Sequence, residues 1–96
     1  MPRNQKLTKV VAGRTVKVAT VEPGGVLVLF DDESRMKIKT TGPATISPGG
    51  KVKCVHEAKA EFKIDFEDGS SATLSLADPG SSVAVRDKNN AVEYLG

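Results

Sequence analysis

The chain has 96 residues, 39% apolar and 27% charged, with a net charge of +2. That is the composition of one globular domain; no apolar run approaches the roughly 18 residues of a membrane span, and a single cysteine, Cys54, excludes an internal disulfide. Trp is absent and the aromatics are Phe30, Phe62, Phe66 and Tyr94, so the core must be aliphatic and a stacking platform for bases or sugars is hard to build.

Taken in order, residues 1–5 are polar and charged and read as a flexible tail. No secretory apolar segment follows Met1, and a cytoplasmic location is expected. Leu7–Val11 is expected as a first strand. Thr15–Glu22, Val26–Phe30 and Arg35–Thr40 follow, divided by Pro23-Gly24-Gly25 and Asp31-Asp32-Glu33-Ser34. Ala44–Ile46 comes after a turn at Gly42-Pro43. Beyond Pro48-Gly49-Gly50 lie Lys51–Glu57, Glu61–Phe66 and Ala72–Ala77, with Asp68-Gly69 turning the last pair. Asp78-Pro79-Gly80 leads into Ser82–Arg86, and Asn89-Asn90 into Ala91–Leu95. The runs are rich in Val, Ile, Thr and Phe, and the breaks in Gly, Pro, Asn and Asp. Short strands at even spacing argue an all-β sandwich or barrel.

Residues 55–62 also suit a helix, since Val55, Ala58, Phe62 and Phe66 would line one helical face. An internal repeat decides the matter. At an offset of 36, Gly13 meets Gly49, Val16-Lys17 meets Val52-Lys53, and Val26 and Val28 meet Phe62 and Ile64. Phe30, Asp32, Ser34 and Pro43 meet Phe66, Asp68, Ser70 and Pro79. The position of the would-be helix is then held by Pro23-Gly24-Gly25, which a helix interior does not tolerate. Self-similarity at a fixed period fixes architecture: residues 6–47 are a first repeat, and 48–96 a second with a closing strand. Each copy is shorter than the roughly 55–65 residues at which lone domains become stable. One all-β domain over residues 1–96 is expected, a duplicated antiparallel meander closed as a small barrel or sandwich.

Strand alternation sorts the faces. Inward are Val16, Val18, Val26, Val28, Phe30, Met36 and Ile38, with Val52, Cys54, Phe62, Ile64, Phe66, Ala72 and Leu74 as counterparts, completed by Val83, Val85, Val92 and Tyr94. Cys54 then replaces Val18 as a small buried apolar group. Outward in the second repeat are Lys53, Glu57, Lys63, Asp65, Thr73 and Ser75, a wet surface. Outward in the first are Lys17, Ala19, Val21, Leu27, Leu29, Lys37 and Lys39, an apolar stripe bordered by cations. Contiguous exposed apolar surface marks an interaction site; the alternative is that this stripe packs within the molecule.

The chemical motifs are few. Asp31–Ser34 and Glu67–Ser70 put carboxylates at equivalent hairpin tips, where Asp and Ser stabilise turns without a metal. Cys54 and His56 lie on one strand with Cβ atoms nearly 7 Å apart at about 3.4 Å per residue, and without a partner from elsewhere they make no site. No Cys/His set has zinc spacing, and no phosphate loop, dinucleotide fingerprint or nucleophile elbow is present. No metal, cofactor or catalytic residue is expected. Residues 1–48 carry eight Lys/Arg against four Asp/Glu and residues 49–96 six against eight, so the basic amino half hints at an anionic partner.

The Val-Lys-Val, turn, Val-Leu-Val-Leu-Phe-Asp-Asp pattern resembles the strand–turn–strand rhythm of small SH3-like barrels, including Tudor-type modules. The resemblance implies two fused SH3-like halves as one form of the fold. The aromatic cage with which Tudor modules hold methylated side chains has no matching residues here, so that function is not carried over. The expected function is a small non-catalytic interaction module. It would bind a protein partner or a second copy of itself through Lys17, Val21, Leu27, Leu29, Lys37 and Lys39, with no membrane involved. The alternative is nucleic-acid binding by the basic amino half.

Overall fold

In the computed structural model, which describes residues 1–42 and 44–96, the chain forms two antiparallel sheets around one core. A helix, α1 (Gln5–Val11), precedes eight strands: β1 (Val16–Glu22), β2 (Gly25–Phe30), β3 (Arg35–Lys39), β4 (Val52–Ala58), β5 (Glu61–Phe66), β6 (Ser71–Ser75), β7 (Val83–Arg86) and β8 (Val92–Leu95). One sheet has the order β1-β2-β3-β7-β8, the other β4-β5-β6. The expected all-β class is what the chain adopts. Pro43, the second residue of the expected Gly42-Pro43 turn, lies outside the described residues.

The offset of 36 is visible strand by strand. β1, β2 and β3 begin 36 residues before β4, β5 and β6. Hairpin tips repeat as well. Asp32 Oδ1 accepts from the Ser34 amide at 2.9 Å and from its hydroxyl, and Asp68 Oδ1 from the Ser70 amide at 2.8 Å and hydroxyl at 2.5 Å. Residue 33 and residue 69 both take positive φ, 69° for Glu33 and 90° for Gly69. Side-chain oxygens thus stabilise these turns, as the Asp-x-Ser spacing implied.

Reciprocal backbone bonds join the halves at two corners. The Gly13 amide donates to Val52 O at 2.8 Å and the Gly49 amide to Val16 O at 2.7 Å; Val16 N donates to Gly50 O and Val52 N to Arg14 O, both at 2.9 Å. At the far corner Thr41 N donates to Ser75 O and Ala77 N to Lys39 O. Side chains of both halves, among them Val28, Phe30, Ile38, Phe62, Ile64 and Leu74, form one buried cluster. Residues 55–62, which also suit a helix but which the repeat assigns to strands, form a hairpin, with Lys59 at φ 55° in its turn.

Three sequence expectations give way at the ends and in the middle. Leu7–Val11 is helical, not a strand. Leu7, Val10 and Val11 satisfy the i, i+3, i+4 spacing of a helical face, and Asn4 caps it, its Oδ1 accepting from the Leu7 amide at 3.0 Å. Leu7 and Val11 are fully buried. The 1–5 segment does not hang free: Asn4 N donates to Val55 O at 2.8 Å and Glu57 N to Pro2 O at 3.0 Å, so it runs along the edge of β4. Thr8 continues this cover, its Oγ1 accepting from the Val55 amide at 3.0 Å. An edge amide that would otherwise be orphaned is satisfied by a helix side chain. Ala44–Ile46 forms no strand, although Ala44 and Ile46 are buried.

Arg14 ties the closing strand to the first half. Its guanidinium donates to both Glu93 carboxylate oxygens, at 3.0 and 2.9 Å, and to Ser34 Oγ at 2.9 Å, and lies 3.4 Å from Asp32. The hydrogen bonds to Glu93 raise the Arg14 pKa against burial, which lowers it. Partial burial pushes the Asp32 carboxyl up, but the hydrogen bonds from Ser34 and the Arg14 charge outweigh it and hold the group below the ordinary value.

Two outcomes follow. Leu7→Ala removes a fully buried side chain of α1 and should lower unfolding free energy by about 2–5 kcal/mol, read from urea midpoints; a change within error would mean that α1 does not dock on the core. Because the Asp32 pKa is lowered on folding, its contribution is present above the ordinary Asp value of about 3.9 and is lost as pH falls through the folded value. The stability gap between wild type and Asp32→Asn should therefore be constant from about pH 7 to 5 and narrow below about pH 4, followed by urea unfolding across that range.

Candidate functional site

Both outer faces are set by β-bulges. In β1, Val16 pairs with Phe30 but Val18 pairs with Leu29, so Lys17 is an extra residue. In β4, Val52 pairs with Phe66 and Cys54 with Asp65, so Lys53 is the extra residue. Side-chain parity therefore inverts after each bulge. Ala19, expected outward, sits opposite Val28 and packs on the core. Val18, expected inward, is 45% exposed. Val55 takes the place of Cys54 in the main core cluster, while Cys54, 5% exposed and so buried as expected, faces Asp65 on the other side of its sheet. Val92, expected inward, is 48% exposed on β8 near a further irregularity at Val85/Arg86.

The registers then place three rows across the outer face of the five-stranded sheet. One holds Val18, Leu29, Arg35 and Arg86; the next Thr20, Leu27, Lys37, Ala84 and Leu95; the third Glu22, Gly25 and Lys39. Of the six residues expected to act together, Leu27, Leu29, Lys37 and Lys39 share this face. The two leucines are half-buried and the two lysines exposed. Lys17 is exposed at the bulge itself. Val21 does not belong to the stripe. It is 61% exposed, but it lies opposite the core residue Val26, on the other side of the sheet near its end.

Arg35, a basic outer position of its strand, joins the face, and three residues missed from sequence complete it: Ala84, Arg86 and Leu95, the last 67% exposed. Alternation with Val83 and Val85 does point Ala84 and Arg86 outward. Nothing local says that β7 lies beside β3. Among the described residues no carboxylate comes within ion-pair distance of Arg35, Lys37, Lys39 or Arg86. Open depressions indent the surface: one of about 440 Å³ lined by Glu22, Leu27, Arg35, Lys37, Ala84 and Arg86, one of about 370 Å³ between Lys37, Lys39 and Leu95, and one of about 470 Å³ between Glu22, Gly25 and Lys39. Gly25 lines the last of these, and a Cβ there would lie 2.5 Å from the Ile38 carbonyl oxygen.

The second bulge assembles a different group on the three-stranded sheet. Cys54 and His56 point the same way from β4, and Asp65 stands across from Cys54 on β5. His56 Nε2 lies 3.0 Å from Asp65 Oδ2 and 3.4 Å from Cys54 Sγ, and Sγ is 3.5 Å from the same Oδ2. His56 Nδ1 faces the Met1 carbonyl oxygen at 3.3 Å. Burial pushes the Asp65 carboxyl up, but the Cys54 hydrogen bond and the Lys63 and His56 charges outweigh it and the group sits below the ordinary value. A nucleophilic relay would need a histidine bridging thiol and carboxylate through opposite ring nitrogens. Here one nitrogen faces both, and the other faces the backbone. Asp65 is the partner that Cys54 and His56 lacked in the sequence; eleven positions separate it from Cys54, and only strand pairing brings it in.

Among the described residues no helix is long and apolar enough to cross a membrane. Compared with known proteins, the chain matches no family profile, no curated protein and no solved structure.

Proposed function

We propose that this chain is a small non-catalytic module that binds a protein partner through the outer face of its five-stranded sheet. The partner segment is acidic and has an apolar side. One observation carries the reading: Val18, Leu27, Leu29, Ala84 and Leu95 lie in the same cross-sheet rows as the cations Arg35, Lys37 and Arg86, none of them in an ion pair among the described residues. Exposed apolar side chains supply the burial term. The surrounding cations select charge and speed encounter.

The same charges disfavour self-association through this face. A two-fold contact sets the same patch against itself, and Arg35, Lys37, Lys39 and Arg86 of one copy would oppose those of the other. Nucleic acid is the competing occupant, drawn by the same cations. The apolar side chains between them are aliphatic, and single-strand recognition draws on aromatic stacking.

The test is a titration of the labelled protein with a peptide alternating Glu and Leu, and separately with a single-stranded oligonucleotide, followed by amide chemical shifts. Expected are peptide-induced shifts centred on Val18, Leu27, Leu29, Lys37 and Ala84, with affinity at least about tenfold weaker for a folded Leu27→Glu variant, a loss of about 1.4 kcal/mol. Peptide shifts elsewhere, or none, would sink the proposal. So would oligonucleotide binding that is tighter than the peptide's and falls steeply with salt.

A further inference from the structure

Outside that face, the group on the three-stranded sheet brings three potential metal-ligating atoms together. We propose that Cys54 Sγ, His56 Nε2 and Asp65 Oδ2 are three ligands of a site for a thiophilic divalent transition ion of the zinc class. The three atoms come from adjacent strands and lie within 4.8 Å of one another. Zinc bonds of about 2.3 Å to sulfur and about 2.0–2.2 Å to nitrogen and oxygen, set tetrahedrally, put the ligand atoms roughly 3.3 Å apart for N–O and roughly 3.5 Å for S–N and S–O. The observed separations are 3.0, 3.4 and 3.5 Å. Only the N–O edge must open, by a few tenths of an ångström.

The surroundings fit the same role. A ligating histidine ordinarily gives its second ring nitrogen to a carbonyl or carboxylate, which fixes the tautomer. His56 Nδ1 has the Met1 carbonyl at 3.3 Å. Its Nε2 faces both Cys54 Sγ and Asp65 Oδ2. The other Asp65 oxygen, Oδ1, is held by Lys63 Nζ at 3.5 Å, leaving Oδ2 to face inward. A cleft of about 300 Å³, lined in part by Arg3, Lys53, Gly69 and Ser70, opens beside the three ligands. It leaves the fourth position to water or a small anion. The thiolate selects zinc, cobalt or copper over magnesium and calcium, and loading releases the Cys54 thiol proton to solvent.

The experiment is an anaerobic titration of the reduced, chelator-treated full chain with Co²⁺, then with Zn²⁺ as competitor. Expected are one equivalent bound, sulfur-to-cobalt charge-transfer absorption, intense tetrahedral ligand-field bands, and loss of both on adding zinc. Cys54→Ser should abolish the charge-transfer band, and Asp65→Asn should weaken binding at least tenfold. Asp68→Asn, a hairpin-tip control, should change neither. Circular dichroism checks that each variant folds. If Cys54→Ser does not fold, the His56 ring resonances of the wild type decide: zinc must shift them at one equivalent. Absence of a cobalt spectrum from folded wild type, unmoved His56 resonances, or equal binding by folded Cys54→Ser and Asp65→Asn would overturn the proposal.

Discussion

One extra residue near the start of each half governs what this protein shows to solvent. A regular strand from Val16 would send Val18 inward and Ala19 outward. With Lys17 inserted as a bulge, Val18 joins Leu29 on the outer face and Ala19 joins Val28 beneath it. Lys53 does the same in the second half, putting Val55 in the main core cluster and setting Cys54, still buried, beside Asp65 on the other side of the sheet. Because the side-chain period of a strand is two, a shift of one residue inverts everything beyond it. The apolar-basic face and the cysteine–histidine–aspartate group are both products of that inversion.

The bulges sit where the halves cross. Each lies next to the reciprocal bonds that join Gly13 to Val52 and Gly49 to Val16. Bulges increase local twist and bend the strand, and the bend lets each meander turn its inner side toward the other. The halves are then joined at two corners and enclose one aliphatic core. Symmetry of backbone does not extend to the surfaces. Where the first half carries Arg14, bound to Ser34 and Glu93, the second has Gly50, at which a Cβ would meet the Phe66 ring at 2.7 Å. The same framework thus presents two chemically different exteriors.

Additions at the two ends break the symmetry further. β7 and β8 extend the first sheet to five strands, widening its outer face with Ala84, Arg86 and Leu95. The amino-terminal segment and α1 instead run along β4, so the second sheet remains three strands wide, and its flank is closed by backbone bonds and Thr8. A broad face suits contact with another macromolecule. A narrow one, with three ligating atoms within bonding reach of one point, suits a single ion.

Much of the framework was legible in the residues. The strand–turn rhythm, the offset of 36, the Asp-x-Ser hairpin tips and most of the core follow from alternation, turn chemistry and self-similarity, all of which act over a few positions. The helix at Gln5–Val11 is not legible locally because so short an apolar run does not separate the helical from the strand period; the Asn4 cap and docking on the core decide it. Strand pairing and bulges were out of reach, since they depend on bonds between distant segments. Only the tertiary structure therefore sets Arg86 across from Arg35, carries Asp65 to Cys54, and moves Val21 off the face to which alternation had assigned it.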